Sequence, residues 1–333
     1  MKERFIYLDI ARVLSIFTVY FAHVFADQLP DSSFSRILFI ISPSVPMALL
    51  AIISAILITP SVLKNSGDYL SRRFARIYIP LLFCLAISFV ISRINNPWGF
   101  DLTHILLHSL GLSLFFEFFN VQNNAGVGYG LWFITAILIM YVTIPMQVTL
   151  FKKNNSQYYL LLLVLLSTLL GVCFNTLADF SSVFSGFFIG VFLTVSNTYK
   201  SVLNIKTTYV VLLLTIGLII NYSPINIYGK WIKDLTSGLI AIMVLVCLYK
   251  IQGFIPSFLS KAITFFSLIS YEFYMLHFSF INEPLRRVLG ISGIANQILI
   301  SLAILIPLSF ITHKVGVMLI NTLSVKISKQ KKS

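Results

Sequence analysis

Long apolar runs recur along the whole chain, separated by short polar turns that hold most of its Lys and Arg. Most runs have the roughly 17–25 residues that a helix needs to cross about 30 Å of hydrocarbon at 1.5 Å per residue. The pattern predicts ten helices, near 8–26, 36–59, 76–93, 130–150, 158–175, 179–197, 207–222, 235–250, 263–281 and 295–320. The expected fold is all-α, a polytopic transmembrane helical bundle. With the N-terminus placed inside, sixteen of the 24 basic residues fall on the cytoplasmic side and six on the other, while Arg12 and Lys314 fall within helices. The reverse orientation would invert this positive-inside bias, so both termini are expected to be cytoplasmic.

Two segments qualify that picture. Lys2 and Arg4 precede the first apolar run, and Val24-Phe25-Ala26 looks like a signal-peptidase site. Asp9, Arg12 and His23 interrupt what would be its uncharged core, so a retained first helix is expected. The longest external segment, 94–129, holds a further apolar stretch at 104–120 in which His104 and His108 are i,i+4 neighbours. No third ligand joins them at helical spacing, and a half-buried interfacial helix is expected rather than a metal site. The glycine-rich 123–130 is expected to be a loop on the wrong side for nucleotide phosphates. No repeat and no separable soluble domain is visible, so 1–333 is expected to be one integral-membrane domain with no fused soluble domain.

Composition sharpens the class. The chain is 58% hydrophobic and 11% charged, against about 25% charged in ordinary soluble domains. A net charge of +13 raises nucleic acid as a partner. The basic residues are dispersed in turns, however, so nucleic acid is set aside and membrane lipid is the expected surroundings. Cys84, Cys173 and Cys247 lie far apart in apolar stretches and are expected to be packing residues, with no metal spacing among them.

Polar side chains inside the predicted spans are the candidates for chemistry, because a charge at the bilayer centre costs roughly 2.5–3.5 kcal/mol even on the lenient insertion scale. Arg12 and His23 are eleven residues apart, within about 20° of one another round a helix and about 16.5 Å apart along it. They share a face that is expected to line a polar cavity. The alternative is that each snorkels to its own interface. Arg72, Arg73 and Arg76 open the third span, where guanidinium forks suit phosphate. A plain positive-inside anchor reads the same way. Trp132 opens the fourth span, followed by Tyr141 and Pro145. In the ninth, Ser270-Tyr271-Glu272-Phe273-Tyr274-Met275-Leu276-His277 puts His277 in the leaflet of His23, unless the stretch is only an aromatic packing face.

In order along the chain, these four stations resemble the acyltransferase-3 family of membrane acyltransferases. Leu8-Asp9-Ile10-Ala11-Arg12 with His23 resembles its Leu-Asp-x-x-Arg start and basic-x10-His signature, and Arg73-x-x-Arg76 its Arg-x-x-Arg motif. Trp132, Tyr141 and Pro145 fall at the family's Trp…Tyr…Pro spacing, and Ser270-Tyr271 to His277 is similar to its Ser-Tyr-x-x-Tyr-Leu-x-His signature. Two departures stand out. Ile137 and Leu138 replace the acidic pair that many members carry after the helix-four tryptophan, and there is no room for the extracytoplasmic hydrolase-like domain that some members have.

The resemblance implies an O-acyltransferase of the bacterial cytoplasmic membrane. It would move an acetyl group from cytoplasmic acetyl-CoA to a hydroxyl of a surface carbohydrate or its lipid-linked precursor, without a metal. On that reading Arg72, Arg73 and Arg76 hold the coenzyme A phosphates. His23 is the general base or is itself transiently acylated. Arg12, oriented by Asp9, steadies the donor or an oxyanion, while Trp132, Tyr141, Tyr271 and His277 line the acceptor path. A transporter or flippase for a lipid-linked saccharide would also need an in-membrane Arg and His, and matched broken helices would favour it. Pro43 and Pro46 are expected to break the second span, with no counterpart in a second half. A polysaccharide polymerase or ligase is a third class, for which a dominant external loop is lacking.

Overall fold

The computed structural model describes residues 5–28, 44–64, 69–95, 102–118, 131–173, 178–222, 229–281, 290 and 293–330. Among them there are helices and turns and no strand. The glycine-rich 123–130, the start of the second predicted span with Pro43, and Arg36, Arg286 and Arg287 lie outside the described residues.

The helices are α1 (Ile6–Gln28), α2 (Val45–Leu63), α3 (Tyr69–Asn95), α4 (Leu102–Ser109), α5 (Phe115–Phe118), α6 (Trp132–Phe151), α7 (Ser156–Cys173), α8 (Ala178–Val195), α9 (Tyr199–Leu203), α10 (Thr207–Tyr222), α11 (Gly229–Ile251), α12 (Ser257–Ile281) and α13 (Ile294–Gln330). Six stretches are long and apolar enough to cross a membrane: Ile6–Phe25, Val45–Leu63, Tyr69–Ile91, Trp132–Phe151, Thr236–Phe254 and Ile294–Thr322. Three shorter apolar helices accompany them, Ser156–Gly171, Phe180–Val195 and Thr207–Ile220. The 25-residue α12 is long enough but carries Lys261, Glu272 and His277. Outward-facing side chains of α7 and α10 are apolar, with Leu162, Leu165, Val211 and Ile219 all exposed. Such faces suit lipid, which is as apolar as leucine. The protein is an integral membrane protein.

Local chemistry explains why helices tolerate their polar and proline residues here. With no water to take up backbone groups, hydroxyls turn back onto their own helix: Thr59 donates to the Ala55 carbonyl, Thr143 to Ile139 and Thr312 to Leu308. Pro46 sits in the first turn of α2, where the absent N–H has no partner to lose, so the described helix begins there.

The chain packs as two compact units. The first comprises Met1–Ala22, Asp31–Gly67 and Ala136–Ser267. Its centre is α2 against α8, with α11 packed on both. Gly186 and Gly190 make the close approach possible: a Cβ at 186 would lie 2.6 Å from the Ala48 carbonyl oxygen, and one at 190 would lie 2.7 Å from the Ala55 methyl. Tyr7, Leu8 and Ala11 of α1 join the same core with Leu49, Ile52, Met243 and Val246.

The second unit comprises His23–Pro30, Asp68–Thr135 and Leu268–Ser333. Here α13 packs on α3, with Gly316 lying against the Pro80 ring, and α4 packs on α3. The stretch expected as one helix over 104–120 is broken. Gly111 adopts φ 70°, α4 ends before it, and the Thr135 hydroxyl donates to its carbonyl at 2.6 Å. A side chain with a Cβ seldom takes that conformation, so the glycine ends the helix and folds α5 back.

Candidate active site

The described polar groups gather into three constellations. The first lies in the first unit, where Asp9 is buried in the opening turn of α1. A carboxylate there meets the positive end of the helix dipole. Arg12 Nη1 donates to Ser267 Oγ at 3.1 Å, and that hydroxyl donates in turn to Asp9 Oδ1 at 2.6 Å. Arg12 Nη1 is itself 3.8 Å from Asp9 Oδ1. Ser267 therefore clasps acid and guanidinium together, and Phe17 packed edge-on against Phe266 at 5.5 Å pins α1 to α12 beside it. The Arg12 side chain is thus held beside Asp9 and Ser267.

The second constellation is in the second unit. The rings of His23 on α1 and His277 on α12 lie 5.5 Å apart, and Phe278 meets His23 edge-on at 5.3 Å. His277 is fully buried, and its Nδ1 hydrogen-bonds the Tyr274 carbonyl three residues back. A carbonyl can only accept, so Nδ1 carries the proton and Nε2 of the neutral ring presents a lone pair. Nε2 is buried with no hydrogen-bond partner among the described residues. Phe133 holds the Tyr274 ring edge-on at 5.9 Å.

The third is the basic cluster on the opening turns of α3. Arg72 and Arg76 are exposed and Arg73 is half-buried. Tyr271 donates to the Ile77 carbonyl at 3.3 Å, so the helix that carries His277 is tied to α3 one residue beyond Arg76. Planar guanidinium forks at 72, 73 and 76 fit a diphosphate or phosphate ester.

The remaining predicted residues are placed otherwise. Trp132 is half-buried at the start of α6 against Phe133, whereas Tyr141 is buried in the first unit against Phe187, ring centroids 6.1 Å apart. His104 and His108 are both buried. They stack on Phe116 at 4.8 Å, and His108 Nδ1 pairs with Ser113 Oγ at 2.9 Å. They serve the α4–α5 corner. Among the described residues no cluster of three or more His, Cys, Asp or Glu is assembled.

Three residues escape the sequence reading. Ser267 carries no signal of its own, since serines are scattered through these helices. Glu272, nearly fully buried, accepts from His313 Nδ1 at 3.0 Å through one carboxylate oxygen, and its other oxygen has no partner among the described residues. Its charge inside a predicted span was the available flag. His313, next to the intramembrane Lys314, had the same one.

An acyltransferase-domain family profile matches residues 5–314, nearly the whole chain. No curated protein and no solved structure matches it. Asp9, Arg12, His23, Ser267 and His277 all lie within that range, and the chain belongs to the acyltransferase-3 family of membrane acyltransferases.

Proposed function

We propose that this acyltransferase moves an acetyl group from cytoplasmic acetyl-CoA to a hydroxyl of a surface carbohydrate or its lipid-linked precursor. The observation that carries the reading is the imidazole pair, His23 beside His277, in a chain of this family. A neutral imidazole, with a free nitrogen lone pair, is well suited to take a hydroxyl proton. His23 acts as general base on the acceptor hydroxyl. The freed oxygen attacks the thioester carbonyl, the carbon–sulfur bond breaks and coenzyme A leaves.

Arg72, Arg73 and Arg76 hold the coenzyme A phosphates at the cytoplasmic face. Arg12, kept in place by Asp9 and Ser267, offers its positive charge to the donor or to the developing oxyanion. Trp132 and Tyr271 line the acceptor path beside the imidazole pair. The protein is a single membrane domain of ten crossings with both ends in the cytoplasm, and it resides in a bacterial cytoplasmic membrane. The reaction runs on side chains, so chelators leave its rate unchanged.

Acetyl-CoA binding to the purified protein tests the donor assignment. Wild type should bind, and Arg73→Ala and Arg76→Ala should each weaken binding at least tenfold. Equal affinity in all three proteins would remove the basic cluster from the donor site. A flippase would bind no acetyl-CoA at all.

A further inference from the structure

His277 Nε2 is a buried lone pair without a described partner, and a buried acceptor left bare calls for an explanation. The ring of His23 lies beside that of His277, centroids 5.5 Å apart. Among the described residues, the aromatic rings around the pair carry no charge. Phe278 presents its edge to both rings, Tyr274 lies on the same helix with its own ring 5.5 Å away, and Phe133 of α6 closes over Tyr274. Glu272 is engaged with His313. At 5.5 Å between centroids, a turn of the His23 ring or one small bridging group would join a nitrogen of each ring. The Tyr274 carbonyl, meanwhile, fixes His277 in the tautomer that accepts at Nε2.

We propose that His277 is the proton-accepting partner of His23, acting through it rather than on the substrate. The idea rests on the acetyltransferase reading above and deepens it. One ring nitrogen of His23 takes the proton of the acceptor hydroxyl as the oxygen forms its bond to the thioester carbonyl. The other ring nitrogen passes its own proton to His277 Nε2. His23 ends neutral, and the positive charge rests on His277, whose Nδ1–H already points at the Tyr274 carbonyl dipole. The carbon–sulfur bond breaks, coenzyme A leaves as thiolate and takes up one proton from water, and His277 returns one. Two protons thus move together, where a lone base moves one.

The test is His277→Gln in the full-length protein reconstituted in lipid, with labelled acetyl transfer measured in H2O–D2O mixtures. Glutamine keeps an acceptor and similar bulk but cannot be protonated. Wild type should show a curved proton inventory, and H277Q a linear one. In H277Q kcat should fall about 10²–10⁴-fold, the range of general acid–base assistance, with KM for acetyl-CoA unchanged. His277→Asn, which is smaller, is read in the same way should glutamine disturb folding. A kcat within twofold of wild type would overturn the proposal, as would a fallen kcat with the curvature intact, since the latter marks a packing role. Activity abolished by His23→Ala but kept by H277Q would sink this relay alone. A wild-type protein with no acetyl transfer would sink the parent reading together with it.

Discussion

A serine hydroxyl can donate one hydrogen bond and accept two, and Ser267 uses both functions at once, taking one from Arg12 and giving one to Asp9. Removing it takes one charge-assisted hydrogen bond from the buried carboxylate and one from the guanidinium, and such bonds contribute about 1.5–3 kcal/mol each. Ser267→Ala should therefore lower the thermal midpoint in detergent and reduce acyl transfer, while Ser267→Thr, which keeps the hydroxyl, should retain most of both. An S267A protein as stable and active as wild type would dissolve the clasp. Asp9, Arg12, His23 and His277 were legible because a polar group inside an apolar run stands out by its cost. Ser267 was not, since a hydroxyl can satisfy itself on its own helix and many here do. Glu272 carried the same flag as His23, yet it sat in a stretch whose five aromatic and aliphatic neighbours read as a packing face.

Helices themselves follow from apolar length, and every predicted span has a described helix over most of it. What length does not reveal is which helix touches which. The close contact of α2 on α8 depends on Gly186 and Gly190, four apart on one face, a spacing that permits close backbone approach. Gly186→Ala puts a methyl against the Ala48 carbonyl, and such overpacking costs about 1–3 kcal/mol. A lower midpoint for G186A than for wild type is expected in thermal unfolding; no change would mean that the helices simply part. The α4–α5 corner was missed for a different reason, because Gly111 looks like any other residue in an apolar run until its positive φ is seen.

That corner also carries a pH dependence. Burial first, and His104 second, push His108 down to about 3 from its ordinary 6.5. Between those values the unfolded corner binds a proton that the folded one excludes. Its stability is therefore fully present above about pH 6.5 and declines as pH falls toward 3. Amide exchange over 102–118 should accelerate from pH 7 to pH 5 beyond the intrinsic trend, and His108→Phe should remove the excess. Protection independent of pH in wild type would contradict the buried, neutral ring.

At the scale of the whole molecule, the proposed reaction needs a donor site on the cytoplasmic side of the membrane and a route from it to the acceptor. The proposed ten crossings would put the start of α3, with Arg72 and Arg76, and the α7 start at Ser156 on the same side of the membrane. Single cysteines at these places should react with impermeant maleimide only in inside-out vesicles; labelling from opposite faces would overturn the topology. The central claim, that the chain is an acetyl-CoA-dependent acetyltransferase whose base is His23, is tested most directly by transfer of radiolabelled acetyl from acetyl-CoA to membrane glycans. Vesicles carrying wild type should incorporate label. Those carrying an equally well inserted His23→Ala protein should incorporate none above background, and label entering at the wild-type rate in that mutant would contradict the account.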